Sequence, residues 1–303
     1  MGVLDGKVAI VTGAGRGIGR GEALLLASEG ARVVVNDLGV AGDGAGNDMT
    51  PAQQVVDEIS AAGGEAIVNH DDVTDWDAAK RLVDQAIDTF GGLHILVNNA
   101  GILRDKMSFS MDEADFDSVI RVHLKGHFAP TKWAATYWRE QSKAGIDTAG
   151  RVINTSSEAG LYGNVGQANY SAAKGGIYSM TLSLARELKR FGVTANAIAP
   201  RARTRMTENL GGHFSEAPPA QGFDDLHPDN VAPVVGWLAS DAAAEVSGQV
   251  FMVTGGRVHL MAPFEPVGEV RQDRRWTVSE LIDASPELFG DRRRSVPRFG
   301  FGE

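Results

Sequence analysis

Cysteine is absent from the 303 residues, which excludes disulfides, a thiolate nucleophile and a Cys-ligated metal. No apolar run is long enough to span a bilayer. The N-terminus reaches its first apolar strand without the charged and apolar regions of a secretory signal. The last residues, Phe301, Gly302 and Glu303, are no peroxisomal address, so the cytoplasm is the expected location. Basic charge is scarce as well: 29 Lys and Arg against 39 Asp and Glu leave a net charge of −10, and the short stretch Arg292 to Arg294 reads as solvated surface. Neither nucleic acid nor membrane is expected as a partner. Glycine, by contrast, is abundant at 37 residues, with 43% hydrophobic content, a composition suited to a large core and many tight strand-to-helix turns.

Short β-rich runs alternate with longer amphipathic segments. Lys7 to Thr12, Arg32 to Asn36, Glu65 to His70, His94 to Asn98, Arg151 to Thr155, Val193 to Ala199 and Gln249 to Val253 read as strands, with helices between them. Several are almost wholly apolar, as strands of a parallel sheet covered on both faces must be. The expectation is an α/β doubly wound parallel sheet, one domain over residues 1–256, followed by a C-terminal extension over 257–303 that would cover the cleft, join an interface or wrap the domain. A helix in that extension would start near Thr277, capped with Glu280 three residues on. Leu38 to Thr50, LGVAGDGAGNDMT, is a Gly-rich insertion, read either as a loop over the ligand or as a free surface loop.

Thr12 to Gly19, TGAGRGIG, follows the first strand and opens a helix. Gly13, Gly17 and Gly19 there would let backbone N–H groups approach a pyrophosphate at the positive helix end. Asp37 ends the second strand, 18 residues after Gly19, where a carboxylate accepts from an adenine ribose diol and repels a 2′-phosphate. That favours NAD over NADP, with Arg16 arguing weakly the other way. Asp72, beside Val73, would hold adenine or cap a helix.

Tyr170 and Lys174 are four residues apart in QANYSAAKGG. On a helix they share one face, where the ammonium would lower the phenol's pKa and make it a proton donor and acceptor near neutral pH. Two hydroxyls aimed at a carbonyl oxygen would stabilise the charge it gains as hydride arrives from a nicotinamide. Ser157 is the second of them; Ser156 alternates to the other side of its strand end.

These motifs, with Asp72-Val73, Asn98-Asn99-Ala100-Gly101 and Ser157 placed 13 before Tyr170, resemble the short-chain dehydrogenase/reductase family over residues 5 to 256, which implies a Rossmann fold. The resemblance makes Tyr170 the acid/base, Lys174 its pKa-lowering partner and a ligand of the nicotinamide ribose, and Ser157 the holder of the substrate oxygen. It assigns Gly13, Arg16, Gly17, Ile18, Gly19, Asp37, Asp72, Val73, Asn99, Ala100 and Gly101 to the cofactor, along with Pro200 and a carboxamide-binding Thr204. Two positions depart from the family pattern: His123 replaces the usual helix asparagine, either organising a relay or adding a pH-sensitive group, and Pro200-Arg201 replaces proline-glycine. His123 and His127 are four apart, but Leu124 stands where a zincin needs glutamate, so no metal is expected. NDLGV, NNAGILRDK, RVHLKG and YGNVGQANYSAAK further resemble the (3R)-hydroxyacyl-CoA dehydrogenase unit of peroxisomal multifunctional enzyme type 2, also called 17β-hydroxysteroid dehydrogenase type 4. That resemblance implies NAD-dependent oxidation of a 3-hydroxyacyl-CoA or steroid-like alcohol. Arg104, Lys106, Arg201, Arg203 and Arg205 would then meet coenzyme A phosphates. Other readings are a reductase of small ketones or 3-oxoacyl thioesters, a dehydrogenase that keeps its NAD, and a silent dinucleotide-sensing module. The family implies a homo-dimer or homo-tetramer.

Overall fold

The computed structural model describes residues 2–40, 42–46, 48–146, 148–208, 212–292 and 295. Arg293, Arg294 and the last three residues, named above, lie outside the described residues. Seven parallel strands form one sheet with an eighth, antiparallel strand at its edge, in the order β3-β2-β1-β4-β5-β6-β7-β8. They are β1 Val8–Thr12, β2 Arg32–Asn36, β3 Ala66–Asn69, β4 Ile95–Asn98, β5 Arg151–Thr155, β6 Thr194–Arg201, β7 Val250–Thr254 and β8 Arg257–Leu260. The winding reverses between β1 and β4, which pair directly, and in such sheets that crevice takes the ligand.

Side-chain alternation builds two cores. Ala9, Val11, Val33, Val35, Ile95 and Val97 face one layer with α1 Gly17–Ser28, α2 Thr50–Ala61 and α8 Ala232–Ala239. Val8, Ile10, Val34, Leu96 and Val152 face the other, with α3 Trp76–Phe90, α5 Gly126–Lys143 and α7 Ala168–Leu188. Polar residues come at the carboxyl ends: Thr12 pairs with Asn36, Asn36 with Asn69, and Asn98 with Asn154. Each apolar strand thus delivers a hydrogen-bonding side chain to the crevice.

Between α4 Glu113–Ile120 and α5 the helix widens into a π turn, Arg121–Lys125. That widening carries His123 into the interior, where it is 1% exposed. The short α6 Glu158–Tyr162 follows β5 and is capped by Ser157.

All seven expected strands form; β8 was not expected. Its exposed RVHL carries no buried alternation, but the Thr254-Gly255-Gly256 step before it, with Gly255 at φ +54°, is a hairpin signal. The first compact unit therefore runs past Gly256 to Met261, and Ala262–Glu303 is a second unit. Within that second unit α9 Val278–Phe289 starts after Thr277, whose hydroxyl accepts from Glu280 N while the Glu280 carboxylate accepts from Thr277 N. The capping box read from the sequence is in place.

Candidate active site

A cleft of about 300 Å³ opens at the carboxyl ends of β1, β2 and β4. Gly13, Arg16, Gly17, Ile18, Asp37, Asp72, Val73, Asn99, Ala100, Gly101 and Thr204 line it. Gly19, Pro200, Tyr170 and Lys174, also expected at the cofactor, do not. Gly19 sits behind the lining: a Cβ there would collide with the Gly13 carbonyl and the Asn99 amide. Gly13 and Gly17 have φ of +64° and +56°, and a Cβ on Gly13 would come 2.8 Å from Ala100 Cα. Asn99 locks the turn, its Nδ2 donating to Thr12 O at 3.0 Å and Gly13 O at 3.1 Å. Thr12 Oγ1 accepts from Asn99 N and Ala100 N at 3.0 and 3.1 Å. The turn is a backbone cradle at the N-terminus of α1 with no Cβ to obstruct it, which fits a pyrophosphate.

Asp37 is fixed at both oxygens, accepting from Gly15 N at 2.9 Å and Gly39 N at 2.7 Å, and stays ready to receive a ribose hydroxyl. Arg16 does not offer a free guanidinium for a 2′-phosphate, because Asp48 of the insertion pairs with it at 2.8 Å. Of the two readings of the insertion, the structure favours the loop over the ligand: Leu38, Val40, Gly42 and Gly44 line the cleft. Leu103 N donates to Gly42 O at 2.9 Å, tying the insertion to the segment after β4. Asp72 is not the helix cap; Asp75 caps α3, accepting from Ala78 N at 2.7 Å, while Asp72 accepts from Thr74 N at 2.8 Å.

Ser157, Tyr170 and Lys174 meet beyond the end of β5. The Tyr170 hydroxyl is in hydrogen-bonding reach of Ser157. Ser156 faces away, its hydroxyl donating to Lys174 O at 2.9 Å. The expected lowering of the Tyr170 pKa by Lys174 is absent from this geometry. Burial pushes the phenol up to about 12; the Ser157 hydrogen bond opposes that, and the Asp105 charge adds to it. Burial likewise pulls the Lys174 ammonium down to about 7, and Nζ donates to Thr155 O at 2.6 Å, 5.6 Å from the Tyr170 ring centre.

His123 bonds the segment after β4 through Nε2, 2.7 Å from Ile102 O and 3.1 Å from Ile102 N. Its ring stands edge-on to Tyr170, 5.0 Å between centres. Burial, and then the Lys174 charge, hold its pKa well below the usual histidine value. It is therefore a neutral wall at working pH, not the pH-sensitive group offered as one reading. Among the described residues no cluster of three His, Asp or Glu side chains suits a metal.

The cationic set contracts. Arg104 and Lys106 both pair with Asp115. Arg203 is held by Asp224 at 2.8 Å, and Arg201 lies 4.0 Å from buried Glu158. Arg205 is exposed and lines the cleft. Thr204 lies against the glycine turn, its Cγ2 3.4 Å from where a Gly17 Cβ would stand; Pro200 stays within β6, beside Val253.

Sequence reasoning missed the buried polar groups Thr131, Asn154 and Thr181 behind the site and weighed His127 only as a metal ligand; all four are 0% exposed. Asn154 had a signal, as the lone amide in the strand RVINT.

A family model described as short chain dehydrogenase matches residues 7–213. The chain is 48% identical to the hydroxyacyl-CoA dehydrogenase ChsB1 of Mycobacterium tuberculosis, over 95% of this chain and 90% of that protein. It is 43% identical to the mouse peroxisomal multifunctional enzyme type 2, over 89% of this chain but 34% of that longer protein. The crystal structure of a short chain dehydrogenase from Mycobacterium avium superposes with a TM-score of 0.87 at 51% identity, covering 99% of this chain and 100% of that one.

Proposed function

The chain belongs to the short-chain dehydrogenase family and is a nicotinamide-dinucleotide oxidoreductase acting on CH–OH donors; from that premise we propose that its cofactor is NAD and its donor a 3-hydroxyacyl-CoA thioester, oxidised reversibly to the 3-oxo compound. The observation that carries the reading is the convergence of Ser157, Tyr170 and Lys174 beside a glycine cradle whose second-strand partner is Asp37. Gly13, Gly17 and the α1 N-terminus would hold the pyrophosphate, Asp37 the adenine ribose, Asp72 and Val73 the adenine, and Thr204 the carboxamide. Bound NAD supplies the hydride acceptor. Ser157 donates to the substrate oxygen, and Tyr170, as phenolate, takes the hydroxyl proton. Lys174, near the nicotinamide ribose, stabilises that phenolate. Asp37 and the Arg16–Asp48 pair support NAD against NADP, since a 2′-phosphate would meet a carboxylate while the Arg16 guanidinium beside it is taken by Asp48.

The test is reduced-nicotinamide absorbance with NAD or NADP against (3R)- and (3S)-3-hydroxyacyl-CoA and a 17β-hydroxysteroid. The expected result is NAD-dependent turnover of a thioester that falls by about 10²- to 10⁴-fold in Tyr170→Phe. Turnover with NADP alone would overturn the cofactor assignment, and turnover of the steroid alone the donor. The insertion bordering the cleft favours a second reading, NAD that exchanges slowly; dinucleotide absorbance surviving gel filtration is its readout. The reading extends to a cytoplasmic homo-dimer or homo-tetramer, for which the exposed rings of Phe116 and Phe128 offer contact surface; light scattering tests the assembly.

A further inference from the structure

Asn169 stands immediately before Tyr170 in the first turn of α7 and is 0% exposed. Both donors of its amide and the amide oxygen are engaged. Nδ2 donates to Arg104 O at 3.0 Å and to Asp115 O at 3.2 Å, and Oδ1 accepts from Tyr170 N at 2.7 Å. One side chain thus joins the segment after β4, α4 and the helix that carries Tyr170 and Lys174. Asparagine is a weaker helix former than alanine or leucine, so forming α7 does not by itself account for it.

The first N–H groups of a helix have no partner within it, and the cap residue ordinarily supplies one. Gln167, at the cap of α7, makes no such bond; its Nε2 donates to Asp105 Oδ2 at 2.7 Å and its Oε1 accepts from Asn164 Nδ2 at 3.0 Å. The N–H of Tyr170 is held by Asn169 in its place. At the far end of the tether, Arg104 follows Asn99, Ala100, Gly101 and Ile102 along one wall of the cleft. Two more bonds stitch that segment to the approach of α7: Lys106 N donates to Gly166 O at 2.9 Å, and Asp105 takes the Gln167 amide. Asp105 and Lys106 are exposed, where water competes for such bonds, whereas Asn169 is sealed from solvent. Apolar packing joins the same elements, since Tyr170 lies against the cluster of Ile102, Val119 and Ala173.

We propose that Asn169 is a positioning residue of the redox site: bonded to Tyr170 N on one side and to Arg104 O and Asp115 O on the other, it fixes the phenol at a set distance from the cofactor wall. The inference rests on the roles given above to Tyr170 and to the cleft. In the oxidation the hydroxyl proton passes to the Tyr170 phenolate and the C–H hydride to the nicotinamide, leaving the carbonyl. Both acceptors must meet one carbon–oxygen bond, and a misplacement of about 1 Å costs about 10²-fold.

The experiment compares the full-length wild type with Asn169→Ala, Asn169→Ser and Asn169→Asp. Rapid mixing with NAD and the 3-hydroxyacyl-CoA reads hydride transfer in the first turnover by absorbance and release of reduced cofactor by fluorescence; calorimetry counts NAD bound per chain, so that rates refer to folded sites. In Asn169→Ala the first turnover is expected to slow by about 10- to 100-fold, with KM and NAD Kd within about twofold and the release rate unchanged. Asn169→Asp keeps the acceptor for Tyr170 N and loses both donors, so it should be slow as well; wild-type speed there would reduce Asn169 to a helix cap and overturn the inference. Should the alanine variant fail to fold, Asn169→Ser decides: a slowed first turnover supports the inference and a wild-type one overturns it. A lowered Tm with the first turnover unchanged also overturns it, leaving a role in stability. An active wild type beside unchanged variants sinks this inference alone, whereas an inactive wild type sinks it together with the reading beneath it.

Discussion

The adenosine end of the cleft is built from backbone and the redox end from buried side chains, and the two ends answer to different physics. At the first, Gly13, Gly17 and Gly19 leave N–H groups uncovered, with Asn99 bracing the turn through Thr12 O and Gly13 O. Backbone donors have no proton to lose near neutral pH, so what this end requires is the absence of three Cβ atoms. At the second, Lys174, His123 and His127 are all buried, and each charge state depends on its neighbours. Geometry alone prepares the first end. The second is assembled yet not tuned: a phenol near 12 beside an ammonium near 7 is poorly set to exchange protons at pH 7, where the useful catalytic pKa lies close to the working pH.

The largest effect should follow from adding one methyl group at the backbone end. In Gly19→Ala the new Cβ meets the Gly13 carbonyl and the Asn99 amide, and the turn must open. Calorimetric titration with NAD should show a Kd raised about a thousandfold, ~4 kcal/mol, while the Tyr170 titration followed by phenolate absorbance stays unchanged. An unaffected Kd would mean that the cradle does not hold the pyrophosphate, and the contrast between the two ends would fall.

Glu22 sharpens the contrast, being a buried titratable group on the cofactor side. It lies on α1, 0% exposed, with neither carboxyl oxygen hydrogen-bonded, and burial raises its pKa from 4.5 to about 8. The folded protein therefore keeps its proton where the unfolded chain has lost it. Stability should decline as pH rises from about 4.5 to about 8 and level off above. At pH 7 the cost is about 3 kcal/mol. Glu22→Gln should recover it, raising Tm at pH 7 to 9 and flattening Tm against pH, with NAD affinity unchanged. A Tm that responds to pH as steeply as the wild type's would show that the carboxyl is solvated, and a changed Kd would make this end depend on a side chain after all.

The same division decides what could be read from the sequence. Strands, glycine turn, Asp37 and the Tyr–Lys spacing are local patterns: apolar period, glycine position, four residues of helix. All seven parallel strands and the capping box at Thr277 follow from them. The exposed strand β8 does not, because it buries nothing and only its glycine turn marks it. The state of the redox end was illegible for another reason. Spacing shows that Tyr170 and Lys174 share a helix face; it does not show that Nζ turns to Thr155 O, or that burial moves both groups away from their ordinary pKa values. Desolvation comes from the whole surrounding fold. Likewise Arg203 and Arg201 look like free cations in sequence and are held by Asp224 and Glu158, from segments distant along the chain.

The smallest effect concerns one charge at the redox end. Asp105 follows β4, its carboxylate accepts from Gln167 Nε2 at 2.7 Å, and its charge raises the Tyr170 pKa. Burial raises its own pKa above the usual carboxylate value, with the Gln167 bond opposing, and a negative charge facing a phenol that must become a phenolate opposes catalysis. Asp105→Asn removes that charge and leaves a side chain of the same shape against Gln167. The acidic limb of kcat/KM against pH should then move to lower pH, with a gain of roughly two- to threefold at pH 7. The direction is the discriminating result: a limb that moves to higher pH would mean that Asp105 supports Tyr170 through structure more than it opposes it through charge, and that side-chain geometry, not mutual electrostatics, sets the redox end.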